Sequence, residues 1–140
     1  MLEALLIQSS DKVLEVGTGS GYATALLAEL AAQVVSVERH AALAHQAREL
    51  ITRMNYNNVM VILGDGSRGF SAEAPYDAIL VSAASGEVPP ALLTQLAEGG
   101  RMIIPVGPPE SQQLQLIQKR NGQAQFTPRE MCRFVPLIAG

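Results

Sequence analysis

The sequence predicts an α/β fold: a doubly wound, mostly parallel sheet with an antiparallel edge at its C-terminal end. Three observations predict it. The run Val13-Leu14-Glu15-Val16 leads into Gly17-Thr18-Gly19-Ser20-Gly21 and then Tyr22-Ala23-Thr24-Ala25-Leu26-Leu27-Ala28, which reads as a buried strand, a tight loop and a helix. Short apolar runs then alternate with helical stretches as far as Gly107, the rhythm that places parallel strands side by side with helices between them. Beyond Gly107 the pattern shifts to period two around an Asn121-Gly122 turn signal, which predicts antiparallel pairing.

Each element has its own signal. Leu2, Leu5 and Leu6 share one helical face, so residues 1–7 read as the end of a helix, and Gln8-Ser9-Ser10-Asp11 as the loop into the first strand. Leu26, Leu27 and Leu30 stripe the first complete helix and predict its packing face, and Val34-Val35-Ser36-Val37-Glu38 is a short second strand. From Ala41 to Met54, Leu43, Ala47, Leu50, Ile51 and Met54 take one side, while Gln46, Arg48, Glu49 and Arg53 take the other. That is a surface helix laid on a sheet. Asn57-Asn58 ends the unit, Val59-Met60-Val61-Ile62-Leu63 is the third strand and runs into Gly64-Asp65-Gly66, and Tyr76-Asp77-Ala78-Ile79-Leu80-Val81 is the fourth. Pro89-Pro90 opens a helix through Leu92, Leu93 and Leu96, which Glu98-Gly99-Gly100 stops. Residues 101–107 form the fifth strand, residues 114–119 alternate, and Phe134-Val135-Pro136-Leu137-Ile138 reads as a closing strand.

Composition bounds the function. The 140 residues, 48% hydrophobic and 16% charged, predict one globular domain over residues 1–140. A net charge of −3 offers no electrostatic footprint for nucleic acid, so no such partner is expected. Cys132, the one cysteine, fits a reducing compartment and a small buried role. Residues 1–7 lack the basic start of a signal peptide, and no run approaches the ~20 apolar residues that cross a bilayer, so a cytoplasmic protein without a membrane partner is expected.

Ligands of doubly wound sheets sit outside the carboxyl ends of the strands, so residues there are site candidates. In the loop, the dinucleotide spacing Gly-x-Gly-x-x-Gly/Ala would end on Tyr22, too large for close helix-on-strand packing, which weakens an NAD reading. Glu38, at the end of the second strand, is placed to accept from both hydroxyls of a ribose, a device that NAD enzymes share. Asp65 could accept from an adenine amino group while Gly66 keeps the backbone near the ring. Three strand-end acids in order, Glu15, Glu38 and Asp65, argue against ordinary loop carboxylates. His40 and His45 lie at no metal-ligand spacing and are expected to be solvated, so no metal is expected. Ser82 and Ser85 lack His and acid partners for a hydrolase, and no residue stands out as catalytic.

The pattern Glu-x-Gly-x-Gly-x-Gly from Glu15 to Gly21 resembles the first motif of S-adenosylmethionine-dependent methyltransferases and implies their Rossmann-like fold. S-adenosylmethionine carries no phosphate, so a carboxylate beside the loop is compatible with it. With Gly64-Asp65-Gly66 and Gly69, Ala74-Pro75-Tyr76-Asp77-Ala78-Ile79, Ala83-Ala84, Gln95-Leu96 with Gly99-Gly100, Pro105-Val106-Gly107 and Arg133-Phe134-Val135-Pro136-Leu137, the chain resembles the protein-L-isoaspartate O-methyltransferase family over nearly its whole length. The resemblance implies methyl transfer from S-adenosylmethionine to the free α-carboxylate of isoaspartyl residues in peptides and proteins, which starts repair of aged chains. It implies cofactor contacts at Glu15, Gly17, Thr18, Gly19, Gly21, Glu38, Asp65 and Gly66, with Arg39 a neighbour. Ser82, Ala83 and Ala84 stand where methyltransferases acting on amino groups often carry Asp/Asn-Pro-Pro-Tyr; small residues suit an anionic oxygen acceptor and mark the substrate side.

One departure shapes the expectation. Family members carry some tens of residues before this point, including a Gly-Gln-Thr-Ile-Ser stretch over the cofactor, and Gln8-Ser9-Ser10 does not match it. The domain is therefore expected to be N-terminally short, binding S-adenosylmethionine weakly or moderately and methylating poorly. Two other readings stay open: a non-catalytic S-adenosylmethionine-binding module and an NAD-binding dehydrogenase domain.

Overall fold

The computed structural model describes residues 1–138. Its helices are α1 (Leu2–Leu5), α2 (Tyr22–Leu30), α3 (Ala41–Arg53) and α4 (Pro90–Gln95), with 3-10 turns at Gly66–Arg68 and Ser71–Glu73. The strands are β1 (Lys12–Val16), β2 (Gln33–Glu38), β3 (Val59–Leu63), β4 (Tyr76–Val81), β5 (Leu96–Val106), β6 (Gln112–Arg120) and β7 (Gln123–Cys132). They make one sheet in the order β3-β2-β1-β4-β5-β6-β7, parallel from β3 through β5 and antiparallel at β5–β6 and β6–β7.

The two faces follow from the pleat, because successive side chains alternate. Leu14, Val16, Val35, Val37, Ile79 and Val81 are buried on one face with Leu92 and Leu96 of the α4 side; Val13, Val34, Ala78, Leu80 and Ile103 are buried on the other with Leu27 of α2 and Leu5 of α1. Apolar on both sides, the central strands read as hydrophobic runs, broken by Glu15 in β1 and Ser36 in β2. At the amino ends of the strands, Arg101 ties α1 to the sheet. Its guanidinium donates to the carbonyls of Leu5, Leu6 and Asp77 and to the Asp11 carboxylate.

The Asn121-Gly122 hairpin forms as expected, with φ of +55° and +73° at those residues and both amides donating to Glu98. Several expectations change. α1 ends at Leu5, and Leu6 points out to solvent instead of sharing its packed face. Leu26 and Leu30 are 55% and 47% exposed, because α2 approaches the sheet through Thr24, Ala25, Leu27 and Ala28. Leu96 already belongs to β5, since α4 ends at Gln95. Residues 134–138 are not the closing strand; β7 takes that role, and the later segment makes one parallel bridge, Ala84 to Pro136. Its pairing is confined to the backbone on either side of Pro136, where Val135 and Leu137 bond to Ala84.

Candidate functional site

The connections from β1 and from β4 leave toward opposite edges of the sheet, and a cleft opens at this switch point. It is lined by Val16, Gly17 and Gly19 at the end of β1, by Val37, Glu38, Arg39, His40 and Leu43 around the end of β2, and by Gly66 after β3. Ser82 and Ala83 line it after β4, and residues 135–138 cross its mouth.

The glycine loop has φ of +94°, +55° and +91° at Gly17, Gly19 and Gly21, a region that side chains disfavour. Gly17 N donates to Val37 O at 2.9 Å and Gly21 N to Thr18 O at 3.0 Å. Glu38 fixes the loop from the neighbouring strand: Oε1 accepts from Gly19 N and Oε2 from His40 N, each at 2.9 Å. A carboxylate offers about four acceptor positions, so both oxygens keep capacity toward the cleft.

Glu15 is placed beneath the loop rather than in the cleft. It is fully buried one residue before the end of β1, where the pleat gives the cleft face to Val16 instead. Its Oε1 accepts from Thr24 Oγ1 and from Ser36 Oγ at 2.7 Å, while Oε2 has no hydrogen-bond partner among the described residues. Thr18 joins the same network through Ser36 Oγ, which keeps its side chain out of the cleft lining. Burial pushes the Glu15 carboxyl up to about 7; the bonds from Thr24 and Ser36 act against that rise, and the charge of Glu38 adds to it.

Asp65 also stands outside the lining. It caps the 3-10 turn, Oδ1 accepting from Ser67 N at 3.0 Å and from Ser67 Oγ at 2.7 Å, with Arg68 Nε 3.7 Å from Oδ2. Gly66 beside it faces the cleft, and a Cβ there would lie 2.4 Å from Val16 Cγ1. Behind this turn the Tyr76 hydroxyl donates to Phe70 O, and burial pushes that hydroxyl up to about 12, with the charge of Glu73 adding to the rise.

Past β4, Ser82 N extends the β1 ladder to Val16 O at 2.9 Å, and Ser82 and Ala83 face the cleft. Ala84 does not; its N–H donates to Val135 O and its carbonyl accepts from Leu137 N, each at 2.7 Å. These bonds hold residues 135–138 as a strap. The strap and His40 are lining residues that sequence reasoning missed. His40 stands just before α3, and the strand-end rule that singled out Glu38 reaches two residues further to find it. His45 pairs with Glu49 at 3.0 Å on the surface, as a solvated residue should.

The sheet order, the glycine loop after β1 and the carboxylate closing β2 define a Rossmann-like methyltransferase fold, and solved structures of that class superimpose on it. A protein-L-isoaspartate O-methyltransferase matches with a TM-score of 0.90 and 31% identity, over 96% of this chain and 44% of its own. A Plasmodium falciparum protein described as a protein-L-isoaspartate O-methyltransferase, in complex with S-adenosyl-L-homocysteine, matches with a TM-score of 0.82 and 28% identity, over 98% of this chain and 69% of its own. The chain belongs to the protein-L-isoaspartate(D-aspartate) O-methyltransferase family, whose model matches residues 1–140. Among curated relatives, the protein-L-isoaspartate O-methyltransferase of Koribacter versatilis is 58% identical and that of Methanoculleus marisnigri 54%, each over 99% of this chain. The chain spans 62% and 63% of the length of these two relatives.

Proposed function

We propose that the chain holds S-adenosylmethionine in this cleft and directs its methyl group to the free α-carboxylate of L-isoaspartyl residues in damaged peptides and proteins. The observation that carries the reading is the cleft itself. A glycine loop, a strand-end carboxylate and a glycine cradle meet there beside small residues, in a chain of this family. The residues suit the donor: Glu38 for the ribose hydroxyls, Val37 and Leu43 for an apolar ring, and bare backbone at Gly17, Gly19 and Gly66 where a Cβ would intrude or strain. Arg39 stands at the rim of the same wall. Glu15, Thr18, Gly21 and Asp65 contribute in this reading by holding the loops.

When bound, the sulfonium supplies an electrophilic methyl group. A carboxylate oxygen would take that methyl group as the S–C electron pair stayed on sulfur, and no proton would have to move. The task left to the chain is alignment. Holding reacting atoms in line is worth effective molarities of about 10⁵ M or more. Ser82 and Ala83 leave space for the acceptor, and the strap bounds it. Cys132, the one thiol, suits the reducing cytoplasm proposed as the location. Among the described residues no helix is long and apolar enough to cross a membrane.

Calorimetric titration with S-adenosylhomocysteine and with NAD tests the cofactor, and methyl ester formation on an isoaspartyl peptide tests the reaction. S-adenosylhomocysteine should bind, NAD should not, and ester should form. Tighter binding of NAD would overturn the cofactor assignment; uptake of S-adenosylhomocysteine without ester would leave a binding module.

A further inference from the structure

Two walls of the cleft are built from irregular backbone, and a buried glutamine braces each. The first wall is the turn after β3, which presents Gly66. Gln95, the last residue of α4, is buried behind it: Oε1 accepts from Phe70 N at 3.0 Å and Nε2 donates to Arg68 O at 2.8 Å. It sits so close to the turn that a Cβ on Gly69 would lie 2.2 Å from Oε1. The second wall is the strap. Gln112, the first residue of β6, is fully buried; Oε1 accepts from Phe134 N at 2.7 Å, and Nε2 donates to Pro108 O at 2.7 Å and Pro109 O at 3.2 Å.

A primary amide accepts and donates in one plane, as a peptide unit does, so each glutamine replaces a missing strand partner. A carboxylate of the same shape would keep the acceptor, lose the donor and set negative charge against a carbonyl oxygen. Neither glutamine lines the cleft. Each can reach a ligand only through the wall it holds.

We propose that Gln95 and Gln112 are positioning residues for different halves of the site: Gln95 for the donor side at Gly66, and Gln112 for the acceptor side, where the strap meets Ala84. The proposal rests on the methyl-donor reading above. It goes further by assigning separate control of the two ligands to residues that touch neither.

The test uses Gln95→Glu and Gln112→Glu in the full chain. The affinity for S-adenosylhomocysteine is measured by calorimetry, and that for an isoaspartyl peptide at saturating S-adenosylhomocysteine. Gln95→Glu should weaken S-adenosylhomocysteine about tenfold, the scale of one lost hydrogen bond, with peptide affinity held within about twofold. Gln112→Glu should do the reverse. A general loss of stability would move both affinities together in both variants, and that result overturns the proposal, as does no change in either. Amide exchange in the unsubstituted chain supplies a check that survives a variant that does not fold. The Phe70 and Phe134 amides should exchange about a hundredfold slower than exposed loop amides, and exchange at the exposed rate also overturns it. If the unsubstituted chain takes up no S-adenosylhomocysteine, the methyl-donor reading and this proposal fall together; if it does and the two variants behave alike, only this proposal falls.

Discussion

Replacing Gly66 with alanine probes the cradle at its tightest point. The new Cβ would lie 2.4 Å from Val16 Cγ1, against the ~3.5–4.0 Å at which carbon atoms rest, so one side must give by more than about 1 Å. Val16 is 1% exposed, and its strand is paired on one side to β2 and on the other to β4. Overpacking of this kind costs about 1–3 kcal/mol. Val16→Ala alone should cost about 2 kcal/mol, from two lost methyl groups and the space they leave. In the double variant the methyl group added at position 66 would occupy that space, so the destabilisation should fall short of the sum of the two single effects by about 1 kcal/mol or more. Urea unfolding of the four proteins at one pH measures the cycle. Additivity within about 0.5 kcal/mol would show that the two sites do not share a volume, and the account of Gly66 would fail.

Glu15→Gln should change how stability depends on pH. Burial raises the folded carboxyl from 4.5 to about 7, so between those values the folded chain binds a proton that the unfolded chain has released. The stability Glu15 confers is full below the unfolded value and is lost as pH rises toward 7, by about 3 kcal/mol at ~1.4 kcal/mol per unit. Unfolding free energies of variant and parent, compared from pH 4 to 8, should diverge in the variant's favour by roughly that amount; a constant difference refutes the buried-acid account. Arg101→Met leaves the buried Asp11 carboxylate with the Gln8 amide but no cation, and uncaps α1 at the end of the sheet opposite the cleft. It should cost about 3 kcal/mol in urea unfolding with S-adenosylhomocysteine affinity unchanged, and a loss of affinity at full folding would contradict that separation. Glu38→Gln leaves one oxygen to serve two amide donors, Gly19 N and His40 N, and should weaken S-adenosylhomocysteine about tenfold by calorimetry. Affinity within about twofold of the parent would remove Glu38 from the site.

Strand periods, the glycine loop and the Asn121-Gly122 hairpin were legible because each is a local signal. The strap was not. Phe134-Val135-Pro136-Leu137-Ile138 has strand composition, yet its anchors are the backbone of Ala84 and the side chain of Gln112, both distant in sequence. The three strand-end acids looked equivalent in sequence because their distance from a strand tip was known only to within a residue, and one residue reverses a side chain. Glu38 is the last residue of β2 and faces the cleft. Glu15 stops one short of the end of β1, and Asp65 lies two past the end of β3, where the chain has already turned and needs a cap.

That displacement gives Glu15 a task the sequence motif conceals. Two carboxylates under one ligand loop would repel each other if both were charged, and the low-dielectric side of the loop is where a charge costs most. The fold separates their roles. Glu38, in the cleft wall, accepts backbone amides and keeps acceptor positions toward the cleft, while Glu15, sealed among Thr24, Ser36 and Thr18, has its carboxyl pushed up to about 7 by burial. In its protonated form Glu15 braces the loop from below through Ser36 and Thr18 without placing a second charge beneath it. The measured slope of stability with pH in Glu15→Gln therefore tests the site as well as the core. If stability showed no such slope, Glu15 would not be a buried acid raised by desolvation, and the division of work between the two carboxylates would have to be abandoned.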